Sequence, residues 1–203
     1  MSKSKAMNYE GVALENSFTI ECKDIMLREF RLEDLDELYA LTLQPEITDY
    51  LPDWKSTKEQ RKEWLRDFHI KSNKEFLEAV PNIQDQLLFL GIILKETNEF
   101  IGWCCTGLKD ELLSPNREIA YAISKDYRGK GYTTQAAQGL IEYLFEDTNI
   151  ELLNAIALTY NIPSNKVIQK CGFNYIGSAE IEDEEFYHYK LSKKEWENKG
   201  KEY

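Results

Sequence analysis

Hydrophobic residues recur three to four positions apart in some stretches of the chain and cluster in short runs in others. The helical spacing predicts a helix over residues 32–43, which Pro45 ends. The same spacing predicts a longer helix over residues 133–146 and a short one over residues 164–171. Gly172 follows the short helix, where a left-handed residue commonly ends a helix.

A further helix is predicted after Thr57. Thr57 and Gln60 fit a capping box, in which each side chain bonds to the backbone amide of the other residue. Trp64, Leu65 and Phe68 follow at helical spacing and supply its apolar stripe.

Short apolar runs predict the strands. A turn at residues 97–99 separates two of these runs and predicts an antiparallel hairpin. The order of elements predicts a mixed α/β fold with a single domain over residues 18–196, a flexible arm over residues 1–17 and a tail over residues 197–203. The predicted strands cover residues 18–30, 87–95, 100–107, 117–124, 151–158, 173–181 and 185–191.

Length and charge limit the classes of function. The chain has 203 residues, 42% of them hydrophobic, so a sizeable core can form and global disorder is excluded. Its net charge of −11 argues against nucleic acid as a partner, because phosphate binding needs a cationic surface. The longest apolar run, residues 87–94, is far shorter than the ~20 residues that span a bilayer, so no membrane partner is expected.

The four cysteines predict neither a metal site nor a secreted protein. Cys22, Cys104, Cys105 and Cys171 form no C-x-x-C pair, so no structural zinc is expected. Scattered thiols and the lack of an apolar segment after the first residues favour a cytoplasmic protein. A monomer or a homodimer is expected.

The residues 127–134 carry the chemical signal. Gly129 and Gly131 allow a tight turn that points several amides at one place, and a helix begins there with the positive end of its dipole. Arg128 and Lys130 add positive charge, so the segment predicts a phosphate site. It matches neither the nucleotide-triphosphate loop nor the dinucleotide fingerprint. Taken alone, a plain glycine-rich turn remains an equal alternative.

Two later motifs add to this loop. Asn161 and Ser164 form N-x-x-S about thirty residues on, and K-x-G-F ends at Phe173. Together with the loop, these motifs resemble the GNAT superfamily of N-acetyltransferases over residues 18–196. The opening and closing segments are similar to the branch that acetylates the N-termini of ribosomal proteins. The resemblance implies a mostly antiparallel sheet flanked by helices and splayed at the cofactor site, with acetyl-CoA as cofactor.

The resemblance also implies the residues that bind the cofactor. The loop amides would wrap the pyrophosphate, Asn161 would bond to the pantetheine arm, and a backbone amide at Ile123 or Ser124 would stabilise the oxyanion. Thr133 departs from the small residue of the family motif. Asn161 also suits the N-cap of the short helix, and both roles can hold. The implied cofactor-binding residues are Ile123, Arg128, Gly129, Lys130, Gly131, Tyr132, Thr133, Asn161 and Ser164.

Two residues are candidates for proton transfer. Glu118 precedes the loop where some superfamily members keep a catalytic Glu, and partial burial would raise its pKa. The alternative is a solvated Glu118 paired with Arg117 or Lys125. Ser164 matches the proposed acid of the branch, with a water or the free thiolate as rival. Ile168 occupies the position at which many relatives have a Tyr that acts as this acid.

The acceptor is expected to be a primary amine, either a protein N-terminus or a small molecule. Trp54 either walls the acceptor or anchors its loop to the core. The acidic turn near residues 180–185 either steers a cationic amine or is simply solvated. Two functions stay open: an acetyltransferase that uses a ternary complex, or a non-catalytic acyl-CoA sensor or docking domain.

Overall fold

The computed structural model describes residues 18–199, so the predicted arm and the last four residues of the predicted tail lie outside it. Eight strands form one sheet in the order β1-β2-β3-β4-β5-β6-β8-β7. The strands are β1 (Thr19–Glu21), β2 (Ile25–Glu29), β3 (Leu88–Leu94), β4 (Glu99–Leu108), β5 (Arg117–Ile123), β6 (Leu152–Leu158), β7 (Asn174–Ile181) and β8 (Glu184–Ser192).

Helices cover both faces of the sheet. A single 3₁₀ turn, Leu32–Asp34, leads into the first helix, and a π turn, Leu65–His69, joins the third helix to the fourth. Within residues 18–199 no helix is both long and apolar enough to cross a bilayer. The helices are α1 (Leu35–Thr42), α2 (Pro45–Thr48), α3 (Lys58–Trp64), α4 (Ile70–Ala79), α5 (Tyr132–Asp147), α6 (Ile162–Lys170) and α7 (Lys193–Lys199).

The sheet opens between β5 and β6, as predicted. All other neighbouring strands pair antiparallel, whereas β5 and β6 run parallel and meet at one residue pair, Glu118 and Asn154. Asn154 Nδ2 fixes this point by donating to Pro115 O and Arg117 O, at 3.0 and 3.2 Å. His188 Nε2 lies 2.9 Å from Asn154 Oδ1 and holds the amide from the β8 side. Beyond this pair the two strands diverge.

Strand alternation divides the core into two layers. Trp103 of β4 faces the layer of α1 and α3, where it packs with Leu38 and Leu65. The neighbouring Cys104 faces the opposite layer, in which Leu140 of α5 is fully buried. The gap in the sheet therefore borders both layers of the core, and side chains can reach it from either one.

Three predicted elements differ from the structure. The run predicted as one strand over residues 18–30 is a hairpin of β1 and β2, closed by Cys22 N donating to Ile25 O at 3.0 Å. Pro45 begins α2 rather than only ending α1, because proline suits the first turn of a helix. The helix α7 extends through residues 197–199, at the start of the predicted tail.

The predicted apolar stripe after Thr57 is wrong at two of its three positions. The capping box of Thr57 and Gln60 is confirmed, with Gln60 N donating to Thr57 Oγ1 at 3.2 Å. Leu65 is fully buried, but Trp64 and Phe68 are 41% and 45% exposed. The π turn changes the phase of the helix at this point, and a fixed helical period does not anticipate it.

Candidate active site

The gap between β5 and β6 opens into a cleft of about 780 Å³. Its lining comes from α2 with the turn that follows it, the turn between β7 and β8, the start of α6 and the loop before α5. Arg128, Gly129 and Thr133 of the predicted phosphate loop thus line the same cleft as the predicted acceptor side. The other predicted loop residues, Lys130, Gly131 and Tyr132, do not line it.

The loop before α5 presents free backbone amides. Gly129 and Gly131 have φ angles of 76° and 82°, a left-handed conformation that favours glycine. Gly131 is the N-cap of α5, and no side chain bonds to the first amides of the helix. Within residues 18–199, no acceptor bonds to the amides of Gly129, Lys130 or Gly131. A side chain at either glycine would project into open space, where an anion has room.

The cationic side chains of this loop have different surroundings. Arg128 Nη2 donates to the carbonyl of Glu46, which ties the loop to α2. Lys130 Nζ lies 5.2 Å from the centre of the Tyr127 ring and keeps its charge beside the loop. The turn before the loop is held by Gln44, whose Nε2 donates to Ser124 Oγ at 3.1 Å. The loop is thus held in place by α2 and by Gln44, the residue just before α2.

Glu118 lies at the point where the sheet divides. Burial raises the pKa of its carboxyl to about 7, with Glu111 adding to the rise while Lys109 and the backbone amide of Ile156 oppose it. The predicted alternative partner, Arg117, points away and donates to Gln86 O at 3.0 Å. Glu118 is therefore a half-buried carboxyl facing the cleft, with a pKa near neutral pH.

Ser164 and Asn161 lie at the start of α6. Asn161 is the N-cap, because its Oδ1 accepts from Ser164 N at 3.3 Å, and its Nδ2 has no partner in the described chain. The sequence missed Tyr121 of β5, whose hydroxyl lies 3.2 Å from Ser164 Oγ. Tyr121 belongs to no sequence motif. It lies next to Ser164 only because the fold packs β5 against the start of α6.

One of the two predicted oxyanion donors is wrong. Ser124 N donates to Ile101 O at 2.9 Å, so this amide belongs to the β4–β5 ladder. Since amides alternate along a strand, the neighbouring Ile123 amide faces the gap. Ile123 lines the cleft and remains the candidate.

The cysteines do not have the properties of nucleophiles. Burial raises the pKa of the Cys105 and Cys171 thiols to about 12. Burial also raises the pKa of Cys104 well above its ordinary value. A protonated thiol is a poor nucleophile, so the buried Cys104 and Cys171 and the partly buried Cys105 have the character of structural thiols.

Trp54 anchors its loop to the core, as one of its two predicted roles requires, and its role toward the acceptor stays a prediction. Its ring stacks on Trp103 at 4.0 Å, and its carbonyl accepts from Arg61 Nη2 at 2.7 Å, so it anchors the loop. The same residue lines the cleft. Nearby, the rings of Tyr50 and Tyr160, which both line the cleft, lie 6.1 Å apart.

Carboxylates outnumber cations among the charged residues that line the cleft. Lys109 and Arg128 are its only lining cations among residues 18–199. Of the acidic residues at the last turn, Glu182 and Glu184 line the cleft, whereas Glu185 does not. The lining carboxylates are Glu46, Asp49, Asp53, Glu111, Glu118, Glu182 and Glu184.

Comparisons with known proteins identify the class of protein. The sequence model of the family described as acetyltransferase (GNAT) domain matches residues 24–174, well over half of the chain. The chain therefore belongs to the GNAT acetyltransferases. The predictions of the family, the fold class, the enzyme class and acetyl-CoA as the cofactor are confirmed.

Individual relatives agree with this family. A protein of Bacillus licheniformis, named an uncharacterized N-acetyltransferase, p20, is 31% identical over 159 residues, which are 78% of this chain and 84% of that protein. YdaF of Bacillus subtilis, whose name assigns it provisionally to the ribosomal N-acetyltransferases, is 34% identical over 86 residues, 39% of this chain and 47% of that protein.

A solved structure shows the same fold. The aminoglycoside acetyltransferase AAC(6')-Ib in complex with coenzyme A matches with a TM-score of 0.67 at 18% identity, over 86% of this chain and 98% of that chain. At this identity the likeness concerns the fold alone.

Proposed function

We propose that the protein transfers an acetyl group from acetyl-CoA directly to a primary amine, with both substrates bound at once. The observation that carries this proposal is Glu118, a carboxyl with a pKa of about 7 at the division of the sheet. It lines an acidic cleft, as do Arg128 and Gly129 of the loop with free amides. A base, an anion site and a cation-attracting surface thus share one cavity.

The residues around the gap fit acetyl-CoA. The amides from residue 128 to residue 133 would hold its diphosphate, since they lack protein acceptors at Gly129, Lys130 and Gly131. The free Nδ2 of Asn161 would donate to an amide carbonyl of the pantetheine arm. When bound, the group supplies an acetyl thioester that is activated toward nucleophiles. The polar backbone edges of β5 and β6 suit an extended arm between them.

Glu118 would act as the general base. Only a neutral amine attacks a thioester, and the usual pKa of an alkylammonium is near 10.4. A carboxylate with a pKa of about 7 takes the amine proton at neutral pH while the N–C bond forms and the C–S bond breaks. The electron pair of the broken bond stays on the sulfur as a thiolate.

Ser164 and Ile123 would stabilise the developing charges. Ile123 N, which faces the gap, would donate to the carbonyl oxygen of the thioester. Because Glu118 lies five residues, about 16 Å, back along β5, the amine proton would reach Glu118 through water in the cleft. Ser164 Oγ would donate to the leaving sulfur from the α6 side. Because Glu118 and Tyr121 point to opposite faces of β5, the amine would approach from one layer and the thiolate leave into the other.

The acidic lining supports a cationic amine as acceptor. Carboxylates from α2 and from the β7–β8 turn face the same cavity, so a protonated amine is attracted before it is deprotonated at Glu118. A basic peptide N-terminus, a polyamine and an aminoglycoside share this chemistry. Structural likeness to an aminoglycoside acetyltransferase and partial sequence likeness to YdaF support two of these three.

The proposal is tested by thiol release. The purified protein is incubated with acetyl-CoA and, in separate reactions, a peptide beginning with Ala or Ser, a polyamine or an aminoglycoside. We expect amine-dependent release of CoA and a singly acetylated product by mass spectrometry. The N-acetylated peptide is the matched control without a free amine. Binding of CoA without amine-dependent thiol release would contradict catalysis and support the sensor function.

A further inference from the structure

We propose that Tyr121 is a positioning residue that turns the hydroxyl proton of Ser164 toward the leaving sulfur. This inference rests on the function proposed above and adds a residue that no motif in the sequence marks. It assigns to β5 two separate roles, one on each face of the strand.

The geometry isolates the two hydroxyl groups as a pair. Tyr121 Oη lies 3.2 Å from Ser164 Oγ and also 3.2 Å from Ser164 O. In the described part of the chain, neither hydroxyl has another hydrogen-bond partner. Both residues line the cleft. Ile168, one turn further along α6, is apolar and offers no proton.

The number of hydroxyl protons limits the directions in which Tyr121 and Ser164 can donate hydrogen bonds. Each hydroxyl has one proton, and Tyr121 can donate its proton either to Ser164 Oγ or to Ser164 O. When Tyr121 donates to Ser164 Oγ, the serine proton is left for a third atom. When negative charge develops on a sulfur in the cleft, the chain from Tyr121 to Ser164 to sulfur is favoured, because aligned hydrogen bonds polarise one another. Without the phenol, the serine proton is free to turn to the carbonyl groups of its own helix.

The protonation state of Tyr121 supports this arrangement. Burial raises the pKa of its phenol above the ordinary value, although the contact with Ser164 opposes the rise. The phenol therefore keeps its proton throughout the working range of pH. It donates a hydrogen bond and is not a net source of protons, so the released thiolate takes its proton from solvent.

The kinetic experiment compares Tyr121→Phe with Tyr189→Phe. Tyr189 Oη donates to Asn165 Oδ1 at 2.9 Å, so it also joins the sheet to α6 by a buried hydroxyl but lies outside the cleft lining. We expect Tyr121→Phe to lower kcat about tenfold with an unchanged KM for acetyl-CoA, which corresponds to one hydrogen bond made in the transition state. Tyr189→Phe should lower the melting temperature without lowering kcat.

A double variant shows whether Tyr121 acts through Ser164. If it does, Tyr121→Phe with Ser164→Ala should be no slower than Ser164→Ala alone. Independent effects that multiply would contradict the inference. So would a kcat of wild-type size in Tyr121→Phe when Ser164→Ala is slow. A wild-type kcat in Ser164→Ala would instead contradict the proposed role of Ser164.

A binding experiment needs no turnover. Calorimetry compares the affinities for CoA and for desulfo-CoA, which lacks the sulfur, as the pH rises through the pKa of the thiol. The wild type should increasingly prefer CoA as the thiolate forms. We expect this preference to fall several-fold in Tyr121→Phe and to persist in Tyr189→Phe. An equal preference in the wild type and Tyr121→Phe would overturn the inference.

Discussion

Glu118 shows how one residue can be both costly and useful. Its carboxyl is buried enough to raise its pKa from the ordinary 4.5 to about 7. The folded protein therefore holds this proton between about pH 4.5 and pH 7, whereas the unfolded chain has lost it. The contribution of Glu118 to stability thus falls as the pH rises through this window. The same shift gives it the basicity that a general base needs.

Replacement of Glu118 by Gln should separate these two effects. We expect kcat to fall about 100-fold and the acid limb near pH 7 to disappear from the pH profile, leaving only the ionisation of the acceptor amine. Calorimetric unfolding should show that Glu118→Gln gains stability relative to the wild type at pH 8 more than at pH 5. Glu111→Gln is the control, because it removes another cleft carboxylate and should retain the limb, moved to lower pH since Glu111 adds to the raised pKa of Glu118. A retained limb in Glu118→Gln would contradict the role of base.

Some residues of this site could be predicted from the sequence, and others could not. Glu118 and the residues from Arg128 to Thr133 could be proposed from the sequence because they belong to local features, one strand start and one glycine loop. Tyr121 and Gln44 were missed, since their importance comes from partners that the fold brings from 43 and 80 residues away. Ser124 was a wrong candidate because strand pairing decides which of two neighbouring amides is free, and the amide of Ser124 bonds to β4.

At the scale of elements, the loop before α5 depends on backbone conformation more than on side chains. Gly129 and Gly131 both adopt left-handed angles, and α5 begins at once, so the loop keeps free amides beside the cleft that Gly129 lines. The sequence predicted this element well, because the glycines and the amphipathic helix are adjacent. The β1–β2 hairpin was missed, because its turn at residues 22–24 contains neither glycine nor proline.

Alanine at Gly131 should weaken cofactor binding. A left-handed non-glycine residue costs about 1–2 kcal/mol, and the added methyl would project into the space before the amides. We expect the dissociation constant for CoA, measured by calorimetry, to rise about tenfold or more. Gly177→Ala is the matched control, since Gly177 also has a positive φ, of 144°, and an open side but lies in β7. Equal affinities of both variants for CoA would contradict the assignment of the loop.

At the scale of the molecule, part of the net charge of −11 is concentrated in the cleft. Composition alone indicated an acidic protein and argued against nucleic acid, but it did not show where the charge matters. The structure gathers seven carboxylates along one cleft, from segments as distant in sequence as α2 and the β7–β8 turn. A field of this kind raises the rate of encounter with cations and is weakened by salt.

Neutralising the turn should reduce the capture of a cationic acceptor. We expect Glu182→Gln with Glu184→Gln to raise the KM for a polyamine or basic peptide several-fold and to flatten its dependence on salt, because both residues line the cleft. The KM for acetyl-CoA should not change. Glu185→Gln is the control, as an exposed carboxylate of the same hairpin outside the lining. Equal effects of the two sets would show that only overall charge counts.

The single residue pair between β5 and β6 leaves most of the backbone edges of these two strands without the partners that a complete sheet would supply. A ligand that binds only the folded state stabilises that state by mass action. If acetyl-CoA binds between these strands, as proposed, the resistance of the protein to proteolysis should therefore increase with the concentration of acetyl-CoA.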